Sequence, residues 1–235
     1  MSTKLFTDHL RIQDAFREEI LDLGGTVTSE HDGNNTLFLR AQLPDCREVQ
    51  AKDKIRHGVA ARSGEEKIVV HPYTYREVCT NGAIHVENIA SRIIDLSDRS
   101  KTSAETEFYF REAIRSCSSP EAFEMNLDDM KESLGRPIRM ALAIASISHL
   151  GSQSSLMERI ISRFIESEDR SGFDFANAIT ATARDEKEPR KKWELEELGG
   201  GVLALLANKS VQHDRNPFDL FAPDEPAEVD LLNAG

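Results

Sequence analysis

The stretch VQAKDKIRHGVAARSGEEKIVVHPYTYREVCTNG, residues 49–82, decides the fold. From Val49 to Arg62 the residues read as one long strand, with Gly58 marking a bulge. Ser63-Gly64-Glu65-Glu66 carries turn chemistry. Lys67 to Arg76 reads as another strand, because Ile68, Val69, Val70, Tyr73 and Tyr75 are residue types that suit a pleated surface. Pro72 inside it points to an edge or a bulge, since proline has no N–H for the ladder. Cys79-Thr80-Asn81-Gly82 then turns the chain. Long strands joined by a short polar turn predict an antiparallel sheet.

Working outward, His31-Asp32-Gly33-Asn34-Asn35 supplies the positive φ of a hairpin turn. Thr26 to Glu30 precedes it, and Thr36 to Gln42 follows as a strand with Leu37 and Leu39 on one face. Leu10 to Leu23 has apolar residues near helical spacing, stopped by Gly24-Gly25. Downstream, Ala83 to Leu96 reads as a helix with Ile84, Ile89, Ile93 and Ile94 inward. Further helices are expected over Ser103–Cys117, from Ser119-Pro120 to Leu134, and over Ile138–Leu150, Ser154–Ser167, Phe173–Ala183 and Trp193–Ala207. The charged segment Asp185–Lys192 should be exposed. Gly199-Gly200-Gly201 costs about 1 kcal/mol per glycine relative to alanine, so a helix break or a close packing contact is expected there. The fold class is therefore α+β. A small antiparallel sheet in a strand-strand-strand-helix core occupies residues 1–100, a helical region packs on it over 101–212, and 213–235 form a disordered acidic tail.

Composition narrows the setting. The 235 residues carry a formal charge of −12, which disfavours simple electrostatic capture of nucleic acid. The charge is uneven: residues 47–77 hold seven basic and five acidic side chains, whereas 213–235 hold one and six. Three cysteines at irregular spacing argue against a disulfide framework or a structural zinc site. No run approaches the ~18 apolar residues of a membrane helix, and the start of the chain lacks an apolar signal core, so a cytoplasmic protein without a membrane partner is expected.

Three stretches stand out: Ser29-Glu30-His31-Asp32-Gly33; Tyr75 to Gly82; and Phe173 to Thr180, followed by Trp193-Glu194-Leu195-Glu196 and the glycine triplet. In this order they resemble a phage/plasmid-like protein family of unknown function, with Arg76 to Gly82 the most specific element. The resemblance covers most of residues 26–207 and departs in its short N-terminal helix. It implies a bacterial or mobile-element setting and little chemistry. It makes His31, Asp32, Gly33, Arg76, Cys79, Asn81 and Gly82 a motif centre.

Each of these residues has a plain alternative. Asn81-Gly82 is a turn, or a place where backbone approaches a ligand. Arg76 contacts phosphate, or pairs with Asp32 across the sheet. His31 and Asp32, adjacent in a turn, make a poor metal pair, and an Asx-turn suits Asp32 better. Cys79 as a nucleophile would need a base such as His71 or His85 and a third orienting group, a set the sequence does not display. Asp128, Asp129 and Glu132 share a helical face that reads as solvated.

No cofactor or metal is expected, an enzyme using Cys79 is the least favoured of three readings, and two functions stand ahead of it. The core with its basic strand face is similar to the core of single-strand annealing recombinases. That likeness implies an oligomeric accessory binding single-stranded DNA, with Lys52, Lys54, Arg56, Arg62 and Arg76 on phosphates and Tyr73 or Tyr75 stacking. The alternative is a non-catalytic interaction or assembly module, reaching a protein partner through the helical half and through Phe218, Leu220 and Phe221 of residues 216–235.

Overall fold

Short polar turns fold residues 26–76 into a meander. The computed structural model describes residues 9–33, 35–98, 100–148 and 154–207. In it β1 (Thr26–Gly33) pairs antiparallel with β2 (Thr36–Gln50), β2 with β3 (Asp53–Ser63), and β3 with β4 (Lys67–Arg76). The strand expected from Val49 to Arg62 is thus broken: Gln50 pairs with Asp53 across a turn, with Lys52 at φ 66°. Neither residue of that turn, Ala51 or Lys52, is a glycine, proline or Asx residue, so nothing in the sequence announced it. The irregularity expected at Gly58 lies opposite it, in β2 between Gln42 and Cys46. Gly58 instead admits close backbone contact, since a Cβ there would fall 2.2 Å from the Ala41 carbonyl oxygen.

Residues 83–96 do not form a helix. β5 (Asn81–Ile84) pairs with Tyr73–Arg76 of β4, and β6 (Arg92–Asp95) pairs with Lys67–Val70 of the same strand. Pro72 falls between the two pairings, where the missing N–H costs nothing; its carbonyl accepts from the His85 amide. The order is β1-β2-β3-β4-β5, with β6 also beside β4.

Seven helices complete an α+β fold among the described residues: α1 (His9–Asp22), α2 (Ser103–Cys117), α3 (Pro120–Leu134), α4 (Met140–Ser146), α5 (Ser154–Glu166), α6 (Gly172–Arg184) and α7 (Pro189–Ala207). Capping fixes several starts. Thr102 with Glu105 and Ser171 with Asp174 form reciprocal boxes, and Ser119 caps a helix that begins with Pro120. Leu37, Leu39, Val59, Ala61, Ile68 and Val70 bury against Ile12, Phe16 and Ile20 of α1 and Phe110 and Ile114 of α2. Ile55 and Ala83 join a second core with α3, α5, α6 and α7, so the helical half and the sheet share buried surface. On the opposite sheet face Phe38, Ala60, Val69, Tyr73 and Ile84 meet Trp193 of α7.

The glycine triplet does not break α7. A Cβ at Gly199 would lie 2.4 Å from Thr180, and one at Gly200 only 2.0 Å from the Ile84 carbonyl oxygen, so the triplet lets the helix lie against β5 and α6. α7 also takes in Pro189–Lys192, part of the charged segment expected to be exposed, and these residues are exposed or half-buried on the helix. Among the described residues, no helix is long and apolar enough to cross a membrane. The expected tail and its Phe218, Leu220 and Phe221 lie outside the described residues.

Candidate binding surface

Strand register sorts the basic candidates onto two faces. The pairs Phe38–Arg62, Arg62–Val69 and Arg56–Tyr75 put Arg56 and Arg62 on the face that meets Trp193, and alternation adds Lys54. Arg76 lies opposite Ile55 on the other face, and Lys52 sits in the β2–β3 turn. The single basic face expected from the sequence is therefore not formed. Two of its members are also committed internally. Arg56 pairs with Glu77, and the Arg76 Nε donates to Asp53 at 2.7 Å in a pair 17% and 5% exposed. Arg76 does not reach Asp32, because β2 and β3 stand between their strands; Asp32 contacts His9 at 2.6 Å instead. Tyr73 is buried, its hydroxyl filling the space that a Cβ at Gly82 would occupy, so no base can stack on it. Tyr75 is half-buried beside Arg56.

The Arg76–Gly82 segment and the late Phe173–Thr180 stretch come together. Asn81 Nδ2 donates to Thr180 Oγ1 at 2.5 Å, Arg184 Nη1 donates to the Cys79 carbonyl at 2.7 Å, and the Arg76 guanidinium lies 5.0 Å from the Phe173 ring centre. Thr80 holds φ at 53°, a strained setting for a β-branched residue. The space left beside Arg76, Asn81, Asn177 and Thr180 is about 20 Å³, room for roughly one water. Asn81 Oδ1 lines it, buried without a protein partner, and suits such a water. These polar groups clasp β5 to α6. His31, Asp32 and Gly33 lie apart, in β1 at the opposite edge of the sheet. His85 Nε2 is engaged with Thr74 at 2.8 Å and His71 packs near Trp193, so neither serves Cys79 as a base.

The Trp193 face holds a different cluster. Arg40 and Glu196, both nearly inaccessible, pair at 2.6 Å through Nη2, while the aligned hydrogen bond comes from Nε at 2.7 Å. Burial raises the Glu196 carboxyl, with Arg40 pulling the other way. Trp193 has the Arg40 and Arg62 guanidinium groups 5.3 Å and 5.6 Å from its ring centre, and its Nε1 donates to Glu197 at 2.5 Å. Burial likewise raises Glu197, against the pull of Arg62.

Beyond Trp193 the face opens into a groove of about 540 Å³. Phe38 and Val69 form its floor, Arg62, Lys67 and Arg190 its basic rim, and Glu65 and Glu66 the opposing charges. Among the described residues, Arg62 and Lys67 have no carboxylate within ion-pair distance. Arg190 holds Glu194 at 3.0 Å but stays 75% exposed. Of the sequence candidates only Arg62 belongs here. Lys67 could have been suspected from its place after the turn, whereas Arg190 and Trp193 are delivered by α7 from more than 120 residues downstream.

Three histidines are buried: His57 in β3, His71 in β4, and His85 just after β5. Desolvation lowers His57 and His71 to about 4 and His85 to about 3. His57 stacks on Phe123 and lies 3.1 Å from the Cys117 carbonyl oxygen, joining the sheet to the α2–α3 elbow. On α3, burial and then the neighbouring Glu132 and Asp128 charges raise Asp129 to about 6. Among the described residues, no three His, Cys, Asp or Glu side chains converge as metal ligands. No protein-family model matches the chain, and no curated protein and no solved structure matches it.

Proposed function

We propose that the chain is a non-catalytic nucleic-acid-binding accessory of a phage/plasmid-type element, and that a single strand lies in the Arg62 groove. The observation that carries this reading is Arg62 itself. It is a guanidinium held over an indole, with no carboxylate at ion-pair distance among the described residues, on the rim of a groove it shares with Lys67 and Arg190. Phosphate contacts need cations that are unpaired or that stay open to solvent like Arg190, which removes Arg56 and Arg76, paired and only 31% and 17% exposed, from the expected set. The charge of −12 repels a polyanion at a distance, so binding is weak and confined to the groove. The test compares variants by fluorescence anisotropy with a short single-stranded oligonucleotide. Arg62→Ala and Lys67→Ala each weaken binding severalfold, while Lys52→Ala and Lys54→Ala leave it unchanged. The reverse pattern refutes the assignment.

A second reading, an assembly module, is favoured by one observation. Ile89 and Ile93, before and within β6, are 82% and 67% exposed, and among the described residues β6 pairs only with β4 and so leaves an edge open. Sedimentation of the wild-type chain and of Ile93→Asp decides it: an oligomer that Ile93→Asp dissociates supports this reading, and a wild-type monomer removes it.

A further inference from the structure

The Arg62 groove calls for a ligand that brings both negative charge and apolar side chains, because its rim is mostly basic and its floor is Phe38 and Val69. Residues 216–221 of this chain, Asn-Pro-Phe-Asp-Leu-Phe, have that character, within a stretch from 213 to 235 that carries six acidic residues and one basic. We infer that this segment occupies the groove of its own chain and competes there with the nucleic-acid strand. The competition rests on the proposed function; the contact itself does not.

Reach permits the contact. α7 begins at Pro189, beside the groove, and ends at Ala207. At about 1.5 Å per residue the helix carries the chain roughly 26 Å away from Arg190. Eleven residues lead from Ala207 to Phe218 and can span about 36 Å when extended, enough to return. Linkage within one chain sets an effective concentration on the order of millimolar, so a contact too weak to hold a free peptide still fills the groove. Phe218 and Phe221 supply apolar side chains to match the Phe38–Val69 floor, and Asp219 supplies a charge complementary to Arg62 and Lys67. The acidic segment covers the unpaired cations until a strand with more phosphates displaces it.

The test uses the full chain and a full chain carrying Phe218→Ala, Leu220→Ala and Phe221→Ala together. Two readouts are taken: the acetylation rate of Lys67, with exposed Lys54 as internal control, and single-strand affinity. The inference predicts that Lys67 reacts severalfold faster in the triple variant, independent of protein concentration, with Lys54 unchanged, and that single-strand affinity rises. An unchanged Lys67 rate overturns it. Protection of Lys67 that fades on dilution also overturns it, since the occupant is then a second copy. If Lys67 is released as predicted but neither chain binds the strand, the tail contact stands and the proposed function falls. If both chains bind equally and Lys67 is unaffected, the function stands and the inference falls.

Discussion

Gly200 has no room for a side chain: a Cβ would sit 2.0 Å from the Ile84 carbonyl oxygen, which is backbone and cannot swing aside. Gly200→Ala therefore forces α7 away from β5 and costs about 1–3 kcal/mol, despite alanine's better helix propensity. Gly135 has nothing within 4 Å of the same position, so Gly135→Ala stays within about 0.5 kcal/mol. Urea denaturation of both variants checks the contrast, and equal midpoints would contradict the packing. The Arg40–Glu196 pair obeys a different rule. Arg40→Ala strands a carboxylate that is 2% exposed and costs about 3–5 kcal/mol, whereas Arg40→Met with Glu196→Leu recovers most of that. If the double variant proves as unstable as the single one, the loss comes from packing rather than from an orphaned charge.

At the scale of elements, the β3–β4 hairpin was legible because Ser63-Gly64-Glu65-Glu66 separates two β-prone runs, and α3 was legible because Ser119-Pro120 stands at its start; the β2–β3 turn was not, and β1 runs on through His31-Asp32-Gly33, which read as a turn. The error at Ala83–Leu96 has a physical cause. Ile84, Ile89, Ile93 and Ile94 mimic helical spacing, and strands of four residues are too short for alternation to show. What decides the conformation is distant: β4 offers two lengths of unpaired edge, and Ile84 and Ile94 are buried there while Ile89 and Ile93 are not. The buried histidines make the fold acid-sensitive. Unfolded histidines bind protons near 6.5, but folded His57 and His71 do so only near 4 and His85 near 3. The unfolded chain takes up more protons in between, so stability is full above pH ~6.5 and falls as the pH drops toward ~4. Each ring contributes a loss on the order of 3 kcal/mol at the acid end. His57→Phe, which keeps the stack on Phe123, should flatten that fall when denaturation is followed against pH; an unchanged slope would place the acid sensitivity elsewhere.

For the whole molecule, what mattered was which charges remain available after folding. A count along the chain found a basic segment and could not see that Asp53 and Glu77 would consume Arg76 and Arg56, or that α7 would carry Arg190 to Arg62. The motif centre was legible only in part: Arg76, Asn81 and Gly82 meet the Phe173–Thr180 stretch, whereas His31, Asp32 and Gly33 stand at the other edge of the sheet, and the role as a clasp depends on hydrogen bonds that spacing cannot show. The central claim is that three groove cations, and no longer basic face, meet the strand. The most direct measurement is single-stranded DNA binding across a salt series, with the full chain and with the variant lacking Phe218, Leu220 and Phe221 side chains. Three phosphate contacts predict that log affinity falls against log salt with a slope of about −2, and that Arg62→Ala makes the slope shallower by roughly 0.7. No binding by either chain at about 50 mM salt, where phosphate contacts are strong, would contradict the account and leave assembly through the β6 edge as the function to test.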